Sequence, residues 1–140
     1  MWLSLLCVGG AAALSLTAAP PLKIGAKNLD WANIGFNYRE TRSFAQYKFR
    51  DGKWDEGTMI EAGAEPTIPI SIGATGLHYG QSLFEGLKAF ACKDGSVRLF
   101  RPDMNAARME NGARRTLMEP PSESMFIEAC ARVVRENLDY

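Results

Sequence analysis

The stretch LHYGQSLFEGLKAF, residues 77 to 90, sets a histidine, a tyrosine, a glutamate, a lysine and two glycines among leucines and phenylalanines. Downstream, NAARMENGARR, residues 105 to 115, clusters arginines around a glycine. In these two places residue type and spacing could do chemistry. A guanidinium offers a planar fork of donors suited to phosphate oxygens. Gly112, one turn beyond Arg108, removes a side chain, so a ligand or another stretch of backbone could come close. On spacing alone, an arginine on a solvated helix face explains Arg108 as well. Tyr79 and Phe84 flank glycines and could wall an apolar pocket. Core packing is the plainer reading of such aromatics, and Leu83, Leu87 and Ala89 read as core.

Other chemistries find little support. A Ser/His/Asp arrangement would have to use His78, the chain's single histidine, and no serine sits in a GxSxG elbow. His78 reads as a hydrogen-bonded structural residue and Lys88 as a solvent-facing one. GATG at 73 to 76 lacks the Gly-Lys-Ser/Thr of a phosphate loop. Glu40, Glu56, Glu61, Glu85 and Asp94 have no spacing that pairs them, so solvated surface is their expected place. Cys7, Cys92 and Cys130 form no CxxC pair, which argues against zinc and for free thiols; a secreted form with Cys92 bonded to Cys130 is the contrasting possibility.

Sixteen basic residues balance sixteen acidic ones, so no net field favours a nucleic-acid backbone or an anionic membrane. Residues 1 to 19 carry no charged side chain and read as an apolar leader, a targeting-peptide or anchor candidate, followed by a linker at 20 to 28. The compartment stays open between an organelle and the cytosol.

The elements that must position these residues are those of an α+β domain. Ala45, Tyr47 and Phe49 alternate with Gln46, Lys48 and Arg50 at strand period, and Asp51-Gly52 supplies a hairpin turn. Asp94-Gly95 repeats the device, with Val97 and Leu99 on one face. PTIPISI, residues 66 to 72, reads as a short strand made irregular by Pro69. Asp103 is the expected N-cap of a first helix whose face of Ala106, Met109, Ala113 and Leu117 packs on the sheet. Met104, Arg108, Asn111, Gly112 and Arg115 lie opposite. A second helix starts near Ser122, with Phe126, Ala129, Cys130 and Val133 as its stripe and Glu128 to Arg132 as an exposed ion pair.

Taken together, LHYGQSLFEGLKAF, VRLFRPDMNAARM and PPSESMFIEACARVVREN resemble, in order and spacing, the N-terminal half of the branched-chain amino-acid aminotransferases. The resemblance runs from about Leu29 to Tyr140 and includes LDWANIGF. It implies the small N-terminal domain of a fold type IV pyridoxal-phosphate enzyme over residues 29 to 140, with antiparallel strands and two helices. By position, Arg108 matches the family arginine that grips the cofactor phosphate. Phe84 matches a phenylalanine lining the pocket for the branched side chain, and Tyr79 a pocket tyrosine. The implied substrates are branched-chain amino acids and 2-oxo acids, the implied assembly a homodimer. The family's cofactor-bearing lysine, the acidic partner of the pyridine nitrogen and a Tyr-x-Arg pocket segment fall beyond the matched region. None of Lys23, Lys27, Lys48, Lys53, Lys88 or Lys93 stands in that lysine's context. The expectation is therefore a truncated chain, inactive alone, whose parent transaminates leucine, isoleucine and valine with 2-oxoglutarate. The alternative is a non-catalytic remnant that binds a phosphate-bearing ligand or a partner subunit.

Overall fold

A computed structural model describes residues 24, 25, 27 to 35, 37 to 62 and 66 to 140. The leader, Cys7 and much of the linker lie outside them. The described part is a small α+β domain of antiparallel strand pairs and three helices. None of those helices is long and apolar enough to cross a membrane.

A long bent hairpin comes first. Strand β1 (Ser43–Gln46) pairs with β4 (Thr58–Glu61), and nearer the tip β2 (Phe49–Arg50) pairs with β3 (Lys53–Trp54). The tip turns at Asp51 and Gly52, both with positive φ, as the Asp-Gly pair predicts. The expected single strand through residues 45 to 50 is broken. Between the two ladders Tyr47 and Lys48 face three residues, Asp55 to Gly57, which makes a bulge. The Asp55 carboxylate organises it by accepting from Lys48 N and Gly57 N, each at 3.0 Å. Gly57 is required there twice over: its φ is +70°, and a Cβ would run into the Tyr47 ring.

A second hairpin joins β5 (Ala89–Ala91) to β6 (Val97–Leu99). Here only Gly95 takes positive φ, and Asp94 instead accepts from Ser96 N and Oγ and pairs with Arg98. Residues 66 to 72 form no ladder, contrary to the sequence pattern. Pro69 has no N–H to donate, and Ile68, Ile70 and Ile72 stay exposed. A single helical turn, α1 (Thr75–His78), follows them.

Helix α2 (Pro102–Arg115) starts two residues earlier than an N-cap at Asp103 implies. Arg101, in the left-handed region, precedes Pro102 at the first helical position, and Asp103 sits inside the first turn, forked to Arg101. Leu117 is not on the packed face. With φ +58° it is the left-handed residue that ends the helix, Met118 N returns to Ala113 O, and the side chain stays in solvent. Helix α3 (Glu123–Glu136) is capped by Ser122, whose Oγ accepts from Met125 N, as the sequence indicates. Its most buried residue is Ala131, while Phe126, Ala129, Cys130 and Val133 are only half-buried.

Helix α2 packs chiefly on α3, rather than on a sheet, and α3 packs on β1. The long hairpin runs beside α3 and is tied to it at three levels. At the tip, Trp54 Nε1 donates to Pro120 O just before the helix. Midway, Arg132 donates to Tyr47 Oη and Glu56 O, both at 2.9 Å, with its guanidinium over the Tyr47 ring. So the expected Glu128–Arg132 pair does not form; the hairpin carbonyls take Arg132, and Glu128 meets Arg135 at the surface. At the base, Asn137 accepts from Arg42 N and Ser43 N and donates to Ser43 O and Val133 O. Part of the predicted linker joins this end, since Gly25 N and Lys27 N donate to Leu138 O and Asp139 O.

Asn137 therefore closes both the helix end and the strand edge. Asn137→Ala should lower stability by about 1–3 kcal/mol, because it orphans several part-buried backbone groups at once. Arg135→Ala, which removes a half-exposed ion pair, should change it by less than about 0.5 kcal/mol. Urea unfolding of the two variants checks the contrast, and equal midpoints would refute it.

Candidate functional site

Residues 81 to 90 alternate in exposure except at Leu83: Gln81, Glu85, Leu87 and Ala89 are half-buried, while Ser82, Leu83, Phe84, Gly86, Lys88 and Phe90 are exposed. The inward positions follow α2. Gln81 Nε2 donates to Thr116 O at 2.7 Å, Leu83 lies against Gly112, and Glu85 meets Asn105 and Arg108. The two repeats match physically. Two residues of extended chain advance about 6.6 Å, and four residues of helix about 6 Å. Gly112 leaves room for this contact, since a Cβ there would sit 3.0 Å from Leu83 Cδ2 and the leucine would have to shift by a few tenths of an ångström. The close approach that Gly112 permits is thus made by Leu83 of the extended segment.

At the end of this track the Glu85 carboxylate, 7% exposed, accepts Arg108 Nε and Nη2, each at 2.6 Å. Asn105 Nδ2 donates to Glu85 Oε2 at 2.9 Å and to Gly86 O at 3.0 Å. Glu85 is therefore not solvated surface, as its spacing suggested. The Arg108 hydrogen bonds, then that of Asn105, hold its carboxyl below the ordinary glutamate value against the opposing effect of desolvation, and they push Arg108 upward. A nearly buried carboxylate without this partner would be costly. The Arg108 side chain remains 69% exposed, and its Nη1 bonds no described residue. Beside it, Arg108, Asn111, Gly112, Arg114 and Arg115 line a shallow depression. Arg114 is held by Glu110, whereas Arg115 has no ion-pair partner among the described residues. Such an edge can donate to two oxygens of an anion; a phosphate monoester fits its chemistry.

Tyr79 and Phe84 are brought near this track but not into a closed pocket. Phe84 is 84% exposed on the outward side of the extended run, and Tyr79, at the end of α1, is 86% exposed. Leu83, expected in the core, is itself partly exposed. His78 bonds the Ile72 carbonyl through Nε2, within the loop it ends. Glu40, Glu56 and Glu61 are on the surface. Cys92 and Cys130 are separate free thiols, which contradicts the bonded form, and burial raises the Cys130 thiol. A second hollow, with Ile24, Val97, Leu99, Ala131, Val134 and Leu138 in its lining, is apolar and away from Arg108.

No family model matches the chain. Among curated proteins it is 50% identical, over 116 residues, to a branched-chain-amino-acid aminotransferase of Haemophilus influenzae, covering 81% of this chain and 32% of that protein. It is 43% identical over 113 residues to one of Helicobacter pylori, covering 79% and 32%. It is also 41% identical over 111 residues to a mitochondrial one of Arabidopsis thaliana, covering 79% and 28%. The chain is homologous to the branched-chain-amino-acid aminotransferases. It spans about a third of the length of these aminotransferase relatives.

Glu85 and Asn105 are the site residues that sequence spacing missed. The signal was available: Glu85 shares a period-two face with Leu83, Leu87 and Ala89, and a charge on an apolar face must find a partner. Because its carboxyl lies lower in the folded chain than in the unfolded one, the unfolded state binds more protons as pH falls. The stability Glu85 contributes is therefore complete above its ordinary value of 4.5 and is lost as pH drops below it. Glu85→Gln should flatten this acid limb. Thermal melts between pH 3 and pH 6 check it, and parallel pH profiles for the two proteins would contradict it.

Proposed function

We propose that this chain supplies the small domain of a fold type IV, pyridoxal-phosphate-dependent branched-chain-amino-acid aminotransferase, the parent polypeptide being longer and working as a homodimer. The parent exchanges amino groups between leucine, isoleucine or valine and 2-oxoglutarate. The observation that carries the reading is the open edge of Arg108, held outward in a chain half identical to such an enzyme over most of its length.

Arg108 would hold the cofactor phosphate through its Nη1 edge, and the depression running to Arg115 keeps further positive charge beside that anion. When bound, the cofactor supplies the electron sink that makes the substrate's α-proton labile. Everything this chain contributes is grip, shape and exclusion of water. Tyr79 and Phe84, exposed here, become the wall that receives the branched side chain when the rest of the parent closes over them. An aromatic wall discriminates by contact area, which limits selectivity to about 1–3 kcal/mol per methylene.

The same exposure explains why the chain alone should not react. None of its lysines stands in the sequence context of the family's cofactor-bearing lysine, and Tyr79 and Phe84 are left exposed.

The test compares the parent with residues 1 to 140, following glutamate formed from leucine and 2-oxoglutarate. The parent should turn over and the 140 residues should not. In the parent, Phe84→Ala should lower kcat/KM for leucine by about 10–200-fold, the scale of lost apolar contacts in a pocket. Turnover by residues 1 to 140 alone, or an unchanged kcat/KM in Phe84→Ala, would overturn this reading.

A further inference from the structure

Arg108 differs from the other paired arginines of this region in what holds it. Arg101 and Arg114 meet Asp103 and Glu110, carboxylates two and four residues away in the chain that are 40% and 48% exposed. Glu85 arrives instead from a separate segment and is nearly sealed from water. It takes the Nε and Nη2 donors together, which fixes both the plane of the guanidinium and its rotation about the side-chain axis. Asn105, one turn before Arg108, holds Glu85 Oε2 and the next carbonyl at once, so the carboxylate cannot swing away. Gln81 to Thr116 and Leu83 to Gly112 secure the segment that carries it.

We propose that Glu85 and Asn105 are positioning residues, which preset the Arg108 guanidinium so that its outer edge meets a phosphate monoester without further ordering. The inference rests on the reading that Arg108 receives the cofactor phosphate. A long flexible side chain that must be immobilised on binding costs affinity, and a side chain already immobilised does not. The arrangement has an electrostatic price. A carboxylate beside the guanidinium offsets part of the charge that attracts the anion. Positioning and simple charge therefore predict opposite signs when Glu85 becomes neutral.

The experiment uses the full-length parent with pyridoxal phosphate as the probe, titrated into the cofactor-free protein and read by absorbance. Glu85→Gln and Asn105→Ala should each weaken cofactor binding by about tenfold, the lower end of the loss when the outer-shell partner of a metal ligand is removed. Glu85→Gln added to Arg108→Met should weaken it no further than Arg108→Met alone, because Glu85 acts through the arginine. At saturating cofactor, kcat of both variants should return close to the native value. Cofactor binding by Glu85→Gln that is as tight as native, or tighter, would overturn the proposal. So would additive losses in the double variant, which mark a general structural role. If Glu85→Gln does not fold, Asn105→Ala decides by the same criteria, since it removes no charge. The two readings fail separately. Unchanged affinity in Arg108→Met removes the phosphate reading itself, whereas a loss confined to Arg108→Met removes only the positioning role.

Discussion

The constraint from which the rest follows is a shortage of apolar volume. Among the described residues the buried apolar side chains are Ala62, Pro102, Ala106, Ala113 and Ala131, and no large side chain is completely enclosed. Alanines let helices α2 and α3 come close, but each removes little surface from water. Long-range order then falls to polar side chains that reach across elements. Asn137, Arg132 and Trp54 bind the first hairpin along α3, and Gln81, Glu85 and Asn105 bind the extended segment along α2. Both sets satisfy groups that would otherwise be costly to bury.

The same shortage leaves the larger apolar side chains outside. Ile68, Ile70, Ile72, Leu77, Tyr79, Phe84, Phe90 and Phe100 are each at least half exposed, and they cluster in the run from residue 66 to residue 100. Exposure on this scale is unusual for a stable monomer. It accords with a domain that completes its core against further polypeptide, and with the proposal that Arg108 holds the cofactor phosphate in the longer parent.

Much of this was legible in the sequence where the determinants are local. Asp51-Gly52 specifies its turn through backbone angles, Ser122 its helix through a hydroxyl, and the two-turn spacing of Ala106 and Ala113 its packed face. Long-range partners were not legible. Arg132 sits four residues from Glu128, which suggests a helical ion pair, yet the carbonyls of a bulge more than seventy positions earlier compete for it. Pro66 to Ile72 has strand pattern but finds no strand beside it among the described residues. Asp103 lost the capping position because Pro102 suits the first helical turn better. Arg108 was singled out by type and by family likeness, but the buried carboxylate that aims it belongs to another segment.

Native mass spectrometry of the endogenous protein, captured by an antibody to residues 29 to 140, decides whether these residues are one domain of a longer, cofactor-bearing subunit. The expected species is a subunit well heavier than these 140 residues, paired with a second copy, each carrying one pyridoxal phosphate. A single chain of 140 residues or fewer, without that added mass, would contradict the proposed function.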